Sequence, residues 1–176
     1  VKRLEDRALL TGSGRFTDDF ALPNPAHAFL LRSPHAHARI RRIDIAKAKT
    51  APGVLGVFTG EDVAMDDLGP IPCKIPMKNR DGTDRFDTPR PILAQGRVRH
   101  VGDPVAAVVA KTLNQARDAA ERIVVDYDEL PFAVDTHAAA RPGAPQVWDH
   151  IPNNIVFDWE RGDRAGDKPP EESRDG

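Results

Sequence analysis

The run Ser33-Pro34-His35-Ala36-His37 contains the two histidines whose spacing is best suited to chemistry. On an extended strand, side chains two residues apart point to the same face, so both imidazoles could bind one metal ion. A metal site needs further ligands, and no Cys or His follows this pair at a matching interval. We therefore expect the pair to serve in packing or at an interface.

The remaining reactive residues do not form a set that spacing alone can assemble. Ser33 could join a histidine and an aspartate in a hydrolase triad, but no interval identifies the partners. The lone Cys73 has Lys74 beside it, which favours a thiolate, but it has no neighbouring histidine to act as base. The other histidines are scattered, at His27, His100, His137 and His150. We expect no catalytic residue, no cofactor ligand and no metal ligand in this chain.

Three further motifs favour structural interpretations. Gly12-Ser13-Gly14 lacks the third glycine and the leading strand of a dinucleotide fingerprint, so we expect a turn. Arg161-Gly162-Asp163 spells an adhesion tripeptide, which we interpret as chance in a chain without an export signal. A basic stretch has no interleaved aromatic residues to stack on bases, which favours a solvated face or an interface rim; it comprises Arg32, Arg39, Arg41, Arg42, Lys47 and Lys49.

The elements that must position these residues are clearest at 101–131. The six apolar residues at 105–110 do not alternate with polar ones, which predicts a strand covered on both faces. Thr112 and Gln115 have the spacing of a capping box and predict the start of a helix. One apolar stripe follows, formed by Leu113, Ala116, Ala120 and Ile123. Alternation at 124–128 predicts a second, half-exposed strand.

The first half of the chain repeats this order of elements. We predict strands at 26–32 and 38–43, a helix at 45–51, a strand at 54–59 and a helical turn at 61–65. Strand–helix–strand units therefore occur at 38–59 and 105–128. Two such units predict an α+β fold with one mixed sheet and helices packed on it.

Turn signals and prolines divide the chain into three parts. Residues 1–25 predict an arm with little regular structure, packed through Leu9, Leu10, Phe16, Phe20 and Leu22. We expect residues 26–140 to form the folded domain, with a Pro-rich loop at 66–96 that is functional or mobile. Residues 141–176 predict an extended linker and a polar, poorly ordered tail.

Composition excludes several function classes. The 176 residues carry a formal charge of −2 with a pI near 6.3, which gives no general attraction to nucleic acid. No apolar run approaches the roughly 20 residues of a membrane span, and no signal peptide begins the chain. We therefore expect a cytoplasmic protein. Because the chain begins at Val1 and not at Met, we expect something to precede it.

Several phrases, taken in order, carry a resemblance to a known family. They are the runs at 5–6, 9–19, 28–40, 43–44, 52–54, 57–59, 101–110, 125–127, 130–131 and 154–155 with Asp158, including Gly12-Ser13-Gly14-Arg15-Phe16, Arg32-Ser33-Pro34-His35-Ala36-His37 and Val101-Gly102-Asp103-Pro104. Over residues 3–160 the chain resembles the start of the large subunit of molybdenum hydroxylases, the family of aldehyde oxidase and xanthine dehydrogenase. Within that family, the phrases resemble the branch of bacterial carbon monoxide dehydrogenase. Asp103 stands where many relatives have Glu, and Phe16 where many have Tyr.

The resemblance implies an a/b hammerhead domain preceded by a lead-in arm. It also implies an enzyme that carries molybdopterin, with the cytosine dinucleotide as one form, and that passes electrons to iron–sulfur clusters and FAD on partner subunits or domains. The family's cofactor-binding glycines and glutamines and its catalytic glutamate lie beyond this sequence. The 141–176 tail would therefore lead toward a missing molybdopterin-binding region, and no site residue is carried over.

Three functional hypotheses follow. The first is a structural and assembly domain of a molybdopterin-dependent oxidoreductase that acts on carbon monoxide, aldehydes or N-heterocycles, inactive when isolated, with the rest of the large subunit and iron–sulfur and flavin subunits as partners. The second is a small ligand-binding regulatory module that dimerises through its sheet. The third, for which no convergent titratable groups can be named, is a complete small enzyme that uses the 66–96 loop as a lid.

Overall fold

The computed structural model describes residues 3–20, 22–72 and 76–160. Its strands are β1 (His27–Arg32), β2 (Ala38–Asp44), β3 (Val54–Thr59), β4 (Arg97–Val98), β5 (Pro104–Ala110) and β6 (Val124–Glu129). Its α-helices are α1 (Asp6–Leu10), α2 (Ala46–Lys49), α3 (Gly60–Met65), α4 (Leu113–Ala120) and α5 (Thr136–Ala139), and 3₁₀ turns lie at Thr17–Asp19 and Pro152–Asn154. Both strand–helix–strand units are therefore confirmed. Their helices, α2 and α4, end earlier than predicted.

The strands form two separate antiparallel sheets, in the orders β1-β5-β3 and β4-β2-β6. The α+β class is confirmed, but the expected single mixed sheet is corrected. Each strand–helix–strand unit places its two strands in different sheets, because β5 pairs with β1 and β3 while β2 pairs with β4 and β6. The helices therefore connect the two sheets and do not link parallel neighbours within one sheet.

Helices α4 and α2 pack on one face of the first sheet and form the main core. Val57, Ala106, Val108 and Ala110 point from the strands toward the small helix residues Ala48, Ala116, Ala119 and Ala120. Alanines at these helix positions let the backbone of α4 lie close to the sheet, where Phe29 and Leu31 complete the layer. Leu113 is an exception to the predicted stripe, since it is 38% exposed.

The start of α4 confirms half of the predicted capping box. The Thr112 hydroxyl accepts a hydrogen bond from the Gln115 backbone N–H at 3.2 Å, as an N-cap residue should. The Gln115 side chain does not complete the box: it lies against Gly53, and its Oε1 is buried without a hydrogen-bond partner among the described residues.

A second, smaller core joins the two sheets. It contains Ala38 from β2, Val98 from β4, Val105 from β5, and Ala94 from the end of the 66–96 loop. The tip of that loop is held against the segment before residue 160, since the Phe86 N–H donates to the Val156 carbonyl at 3.1 Å and Arg80 pairs with Asp158 at 2.7 Å. These bonds fix the described part of the loop to the domain.

The arm before β1 has the predicted scarcity of regular structure, but its packing was predicted wrongly. The five apolar side chains that were expected to pack are all exposed, from 47% for Leu9 to 87% for Leu10. The arm satisfies its own backbone locally: the N–H groups of Ser13 and Gly14 both donate to the Ala8 carbonyl. None of the helices in the described ranges is long and apolar enough to cross a bilayer.

Candidate functional site

The Ser33–His37 run forms a turn between β1 and β2 and not a strand. The Ser33 hydroxyl accepts a hydrogen bond from the His35 N–H at 3.0 Å and donates to the His35 carbonyl at 3.1 Å. This local ring bends the chain, so the run is not an extended strand and does not give the two imidazoles the shared face that a common metal ion would need. The Ser33 hydroxyl bonds to backbone atoms of His35, and no imidazole in the described part of the chain hydrogen-bonds to it.

His35 and His37 bind different neighbours on either side of the turn. His35 Nδ1 lies 3.2 Å from Glu129 Oε1, and its ring centre is 4.7 Å from that of Tyr127, whose pKa is raised because the phenol is desolvated by burial. His37 is 4% exposed, and its Nδ1 lies 3.0 Å from the Pro131 carbonyl oxygen. Because a carbonyl can only accept, Nδ1 carries the proton.

The far side of the His37 ring has no such partner. Nε2 is buried and makes no hydrogen bond to any residue that the structure describes. His37, Arg39, Arg97 and Asp149 line a cavity of about 390 Å³, which we call the His37 cleft. Arg97 Nη1 donates to both Asp149 carboxylate oxygens, at 3.1 and 3.3 Å, and this interaction lowers the pKa of Asp149. Of the residues that the sequence analysis considered, His37 and Arg39 lie in this cleft.

The other histidines do not converge. His100 Nδ1 lies 3.7 Å from Asp103, and His150 Nε2 lies 3.3 Å from the Asp87 carbonyl oxygen. His27 starts β1 and His137 lies in α5. Within residues 3–20, 22–72 and 76–160, no three residues of the types His, Cys, Asp and Glu come together in a way that could hold a metal ion.

The basic stretch is divided among separate partners. Arg41 pairs with Asp128 at 2.8 Å and Arg42 with Asp44 at 2.9 Å, while Arg32 donates to the Gly102 carbonyl at 2.8 Å. These solvent-exposed pairs fit the predicted solvated face. Gly12 has φ +68° and lies in the turn after α1, as predicted. Cys73, Lys74 and the Arg161-Gly162-Asp163 run lie outside the described residues.

Sequence reasoning missed an apolar surface on the first sheet. On the side away from α4, the register places Leu30, Ala107 and Phe58 in one row and Ala28, Val109 and Gly56 in the next. These six residues form what we call the outer face. Phe58 is 46% exposed and Leu30 38%, and the Phe58 ring lies over Gly56. The unalternating apolar run at 105–110 was the signal that could have revealed this face.

The comparison that decides the family covers most of the folded part. The family model described as "aldehyde oxidase and xanthine dehydrogenase, a/b hammerhead domain" matches residues 11–131. This chain belongs to that family. The resemblance found in the sequence phrases and the a/b hammerhead fold are therefore both confirmed.

Relatives of this hammerhead domain are oxidoreductases. It is 37% identical to the carbon monoxide dehydrogenase large chain of Afipia carboxidovorans, over 94% of this chain and 20% of that one. It is 36% identical to the xanthine dehydrogenase molybdenum-binding subunit of Escherichia coli O157:H7, over 88% of this chain and 20% of that one. The crystal structure of quinoline 2-oxidoreductase from Pseudomonas putida 86 superposes with a TM-score of 0.74 at 41% identity, covering 89% of this chain and 19% of that one. The chain thus spans about a fifth of the length of these relatives.

Proposed function

We propose that this hammerhead domain is a scaffold and assembly part of a larger molybdenum-dependent oxidoreductase and that it has no turnover alone. One observation carries the proposal: β5 has the sequence of a strand covered on both faces, but the described residues cover only part of its outer face. Ala106, Val108 and Ala110 are buried beneath the helices, and Val105 is buried in the second core, whereas Ala107 and Val109 remain half-exposed.

The outer face is well suited to a permanent intramolecular contact. Its six residues offer no hydrogen-bonding side chain, so it would be matched by another apolar layer. Fully burying a side chain such as Leu30 or Phe58 stabilises a contact by up to about 1.5–3 kcal/mol. Part of that gain is already made here, since the two side chains are 38% and 46% exposed. Because the relatives are about five times as long as this chain, we propose that the remainder of the large subunit covers this face.

The cofactors then belong to other parts of the enzyme. The outer face cannot donate or accept the hydrogen bonds that a pterin requires, so we assign no chemical step to it. We propose molybdopterin, in its cytosine dinucleotide form, in the remainder of the large subunit, with iron–sulfur clusters and FAD on partner subunits. The substrate class would be carbon monoxide, an aldehyde or an N-heterocycle, and the compartment the cytoplasm. We also propose 26–140 as the limits of the hammerhead domain, with 1–25 as its arm and 141–176 as the link to the cofactor-binding region.

The gene and the enzyme that it encodes test this assignment. We expect the reading frame to continue for several hundred residues and to encode a molybdopterin-binding region. In the complete enzyme, Leu30→Lys should lower the yield of assembled, molybdenum-containing protein, because it places a charge in a dry contact. Met65→Lys is the matched control, since Met65 is 76% exposed at the end of α3 and outside the outer face.

Two results would overturn the proposal. One is normal assembly of the Leu30→Lys enzyme, which would show that nothing apolar covers the outer face. The other is tight molybdopterin binding or aldehyde oxidation by the isolated 176-residue chain. The Leu30→Lys chain itself should keep its melting temperature within about 2 °C, because the side chain is already partly in water.

The outer face would also suit the alternative regulatory module that dimerises through its sheet. Sedimentation of the 176-residue chain separates the two functions. We expect a monomer at micromolar concentration, because the proposed partner of the outer face is covalently linked in the enzyme. A dimer that Leu30→Lys dissociates would favour the regulatory module instead.

A further inference from the structure

Arg99, which follows β4, is a half-buried cation that pairs with no carboxylate. Its guanidinium carbon lies 3.8 Å from the centre of the Trp148 ring. Its side-chain nitrogens make no hydrogen bond or ion pair within the described part of the chain. Two nearby acids are engaged elsewhere. Asp149 pairs with Arg97 at 3.1 Å, and Asp103 accepts a hydrogen bond from the backbone N–H of residue 99 at 2.9 Å. Burial, and then the charge of Arg97, lower the pKa of the Arg99 guanidinium.

The cavity beside Arg99 combines positive charge with apolar walls. Its volume is about 590 Å³, and we call it the Arg99 groove. Its charged lining is Arg90, Arg99 and Asp103, and His100 lies 3.7 Å from Asp103. The side chain of Arg90, like that of Arg99, makes no ion pair with any residue that the structure describes. Apolar residues supply most of the remaining lining: Pro89, Pro91, Pro104, Val147, Trp148 and Val156. A carboxylate with apolar neighbours therefore matches this groove.

The contact with Trp148 leaves Arg99 able to bind such a carboxylate. A guanidinium on the face of an aromatic ring keeps its N–H groups in its own plane, where they remain free to donate hydrogen bonds. Of the three guanidinium nitrogens only Nε is fully buried without a partner, so the two terminal nitrogens retain contact with solvent. Parallel hydrogen bonds from two such nitrogens are the usual geometry of an arginine–carboxylate pair. A partly buried cation without its anion costs free energy, which a carboxylate would recover.

We infer that the Arg99 groove receives a segment from the remainder of the large subunit, and that this segment places an Asp or Glu carboxylate on Arg99. The inference rests on the proposed function and adds a second surface through which the domain meets that remainder. Position supports this occupant, because Val147, Trp148 and Val156 belong to the segment proposed as the link to the cofactor-binding region. A carboxylate on the same polypeptide also loses less freedom on binding than a free small molecule would.

Carbodiimide coupling in the complete enzyme tests the contact. Arg99→Lys keeps the positive charge and introduces an amine, which the reagent joins to a carboxylate that touches it. We expect a cross-link from position 99 to an Asp or Glu beyond residue 176 of the same subunit, located by mass spectrometry of its peptides. Arg42→Lys is the matched control, because Arg42 pairs with Asp44 at 2.9 Å and should couple to it. In the isolated 176-residue chain, Arg42→Lys should still couple and Arg99→Lys should not.

Arg99→Gln gives a second measurement that does not depend on coupling. In the complete enzyme it should lower the yield of assembled protein several-fold, since it leaves the carboxylate in the contact without a partner. In the isolated chain it removes only the contact with Trp148, so the melting temperature should fall by no more than about 4 °C. Arg122→Gln is the control: Arg122 is exposed just after α4 and makes no ion pair within the described ranges, so neither quantity should change.

Four results would contradict the inference. They are no cross-link from position 99 where the Arg42→Lys control couples, coupling only to Asp103, Asp149 or another subunit, equal yields of the Arg99→Gln and Arg122→Gln enzymes, and a larger loss of stability in the isolated Arg99→Gln chain, which would mean that Arg99 holds the domain itself together. The proposed function has its own test in Leu30→Lys. Impaired assembly of the Leu30→Lys enzyme beside normal assembly of the Arg99→Gln enzyme would reject this inference and retain the scaffold function.

Discussion

The side chain of Gln115, in the first turn of α4, lies directly against Gly53, the residue before β3. Gly53 has φ +77°, and its carbonyl accepts a hydrogen bond from the Lys111 N–H at 2.9 Å. These contacts hold the turn before β3, in the first strand–helix–strand unit, against the start of α4, in the second unit. Gly53 is therefore restricted by its backbone conformation, and a Cβ atom there would displace the end of the Gln115 side chain.

Gly53→Ala should destabilise the domain for both reasons. The positive φ alone costs an alanine about 1 kcal/mol, and displacing Gln115 adds to that cost. Urea unfolding of Gly53→Ala and Gly82→Ala measures the difference. Gly82 has φ +86° but open space where its Cβ would lie, so it reports the backbone cost alone. Equal losses in the two variants would mean that the Gln115 contact contributes nothing.

Val108→Asp should prevent folding. Val108 is fully buried in the central strand of the first sheet, and an unpaired charge at that position costs several kcal/mol, a large part of the stability of a domain of this size. Far-ultraviolet circular dichroism and exclusion chromatography give the result. Val124→Asp, at a position 62% exposed on β6, should remain folded. A soluble Val108→Asp chain with an unchanged melting temperature would contradict the observed packing.

Thr112→Ala should cost about 1 kcal/mol, the usual contribution of an N-cap hydroxyl. The Thr112 hydroxyl accepts a hydrogen bond from the Gln115 backbone N–H. An N–H in the first turn of a helix has no backbone carbonyl of the helix to bond to, so the hydroxyl is its partner. Thr112→Ser keeps the acceptor and should retain most of that stability. Denaturant midpoints of the two variants test the cap, and an alanine variant as stable as the serine variant would show that water replaces it.

Asp62 should make stability depend on pH in the acid range. The Thr59 backbone N–H donates to its carboxylate at 2.6 Å and the Thr59 hydroxyl does so at 3.0 Å, and these hydrogen bonds lower its pKa below the ordinary value. Because the folded-state pKa is the lower one, the stabilisation is complete above the unfolded pKa of about 4. It is lost as the pH falls through the folded pKa.

Asp62→Asn should therefore be less stable than the unaltered chain at pH 6, and the difference should shrink as the pH falls below about 4. Urea unfolding at intervals between pH 6 and pH 2.5 measures this trend. Asp118→Asn is a suitable control, since Asp118 is exposed on α4 and makes no hydrogen bond or ion pair within the described part of the chain. A constant difference between Asp62→Asn and the unaltered chain would refute the pH linkage.

Local patterns predicted most elements of this fold correctly. The apolar run at 105–110, the cap at Thr112 and the turn at Pro52-Gly53 act over a few residues, so they were visible in the sequence and confirmed by β5, α4 and the start of β3. The arm was predicted less well, because apolar residues such as Leu9 and Leu10 suggest burial whether or not another segment covers them. Their exposure depends on partners elsewhere, which a local pattern does not contain.

In the candidate sites, too, local sequence did not predict contacts that depend on distant partners. The spacing of His35 and His37 could not tell whether the two rings share a face, and the structure places them against different partners, Glu129 and Pro131. Those partners lie more than ninety residues along the chain, as the 94-residue separation of His37 from Pro131 shows. Likewise, nothing in the sequence pairs Arg39 with Arg97, since only the register of β2 against β4 sets them opposite each other.

The sequence alone therefore determined the family, the α+β class and the order of strands and helices, because these follow from short-range periodicity, caps and characteristic phrases. Only the tertiary structure decided that the strands form two sheets, that the outer face is open, and that Arg39, Arg97 and His37 meet in one cleft. Hydrogen-bond pairing between distant segments fixes all three, and such pairing is chosen by the packing of the whole domain.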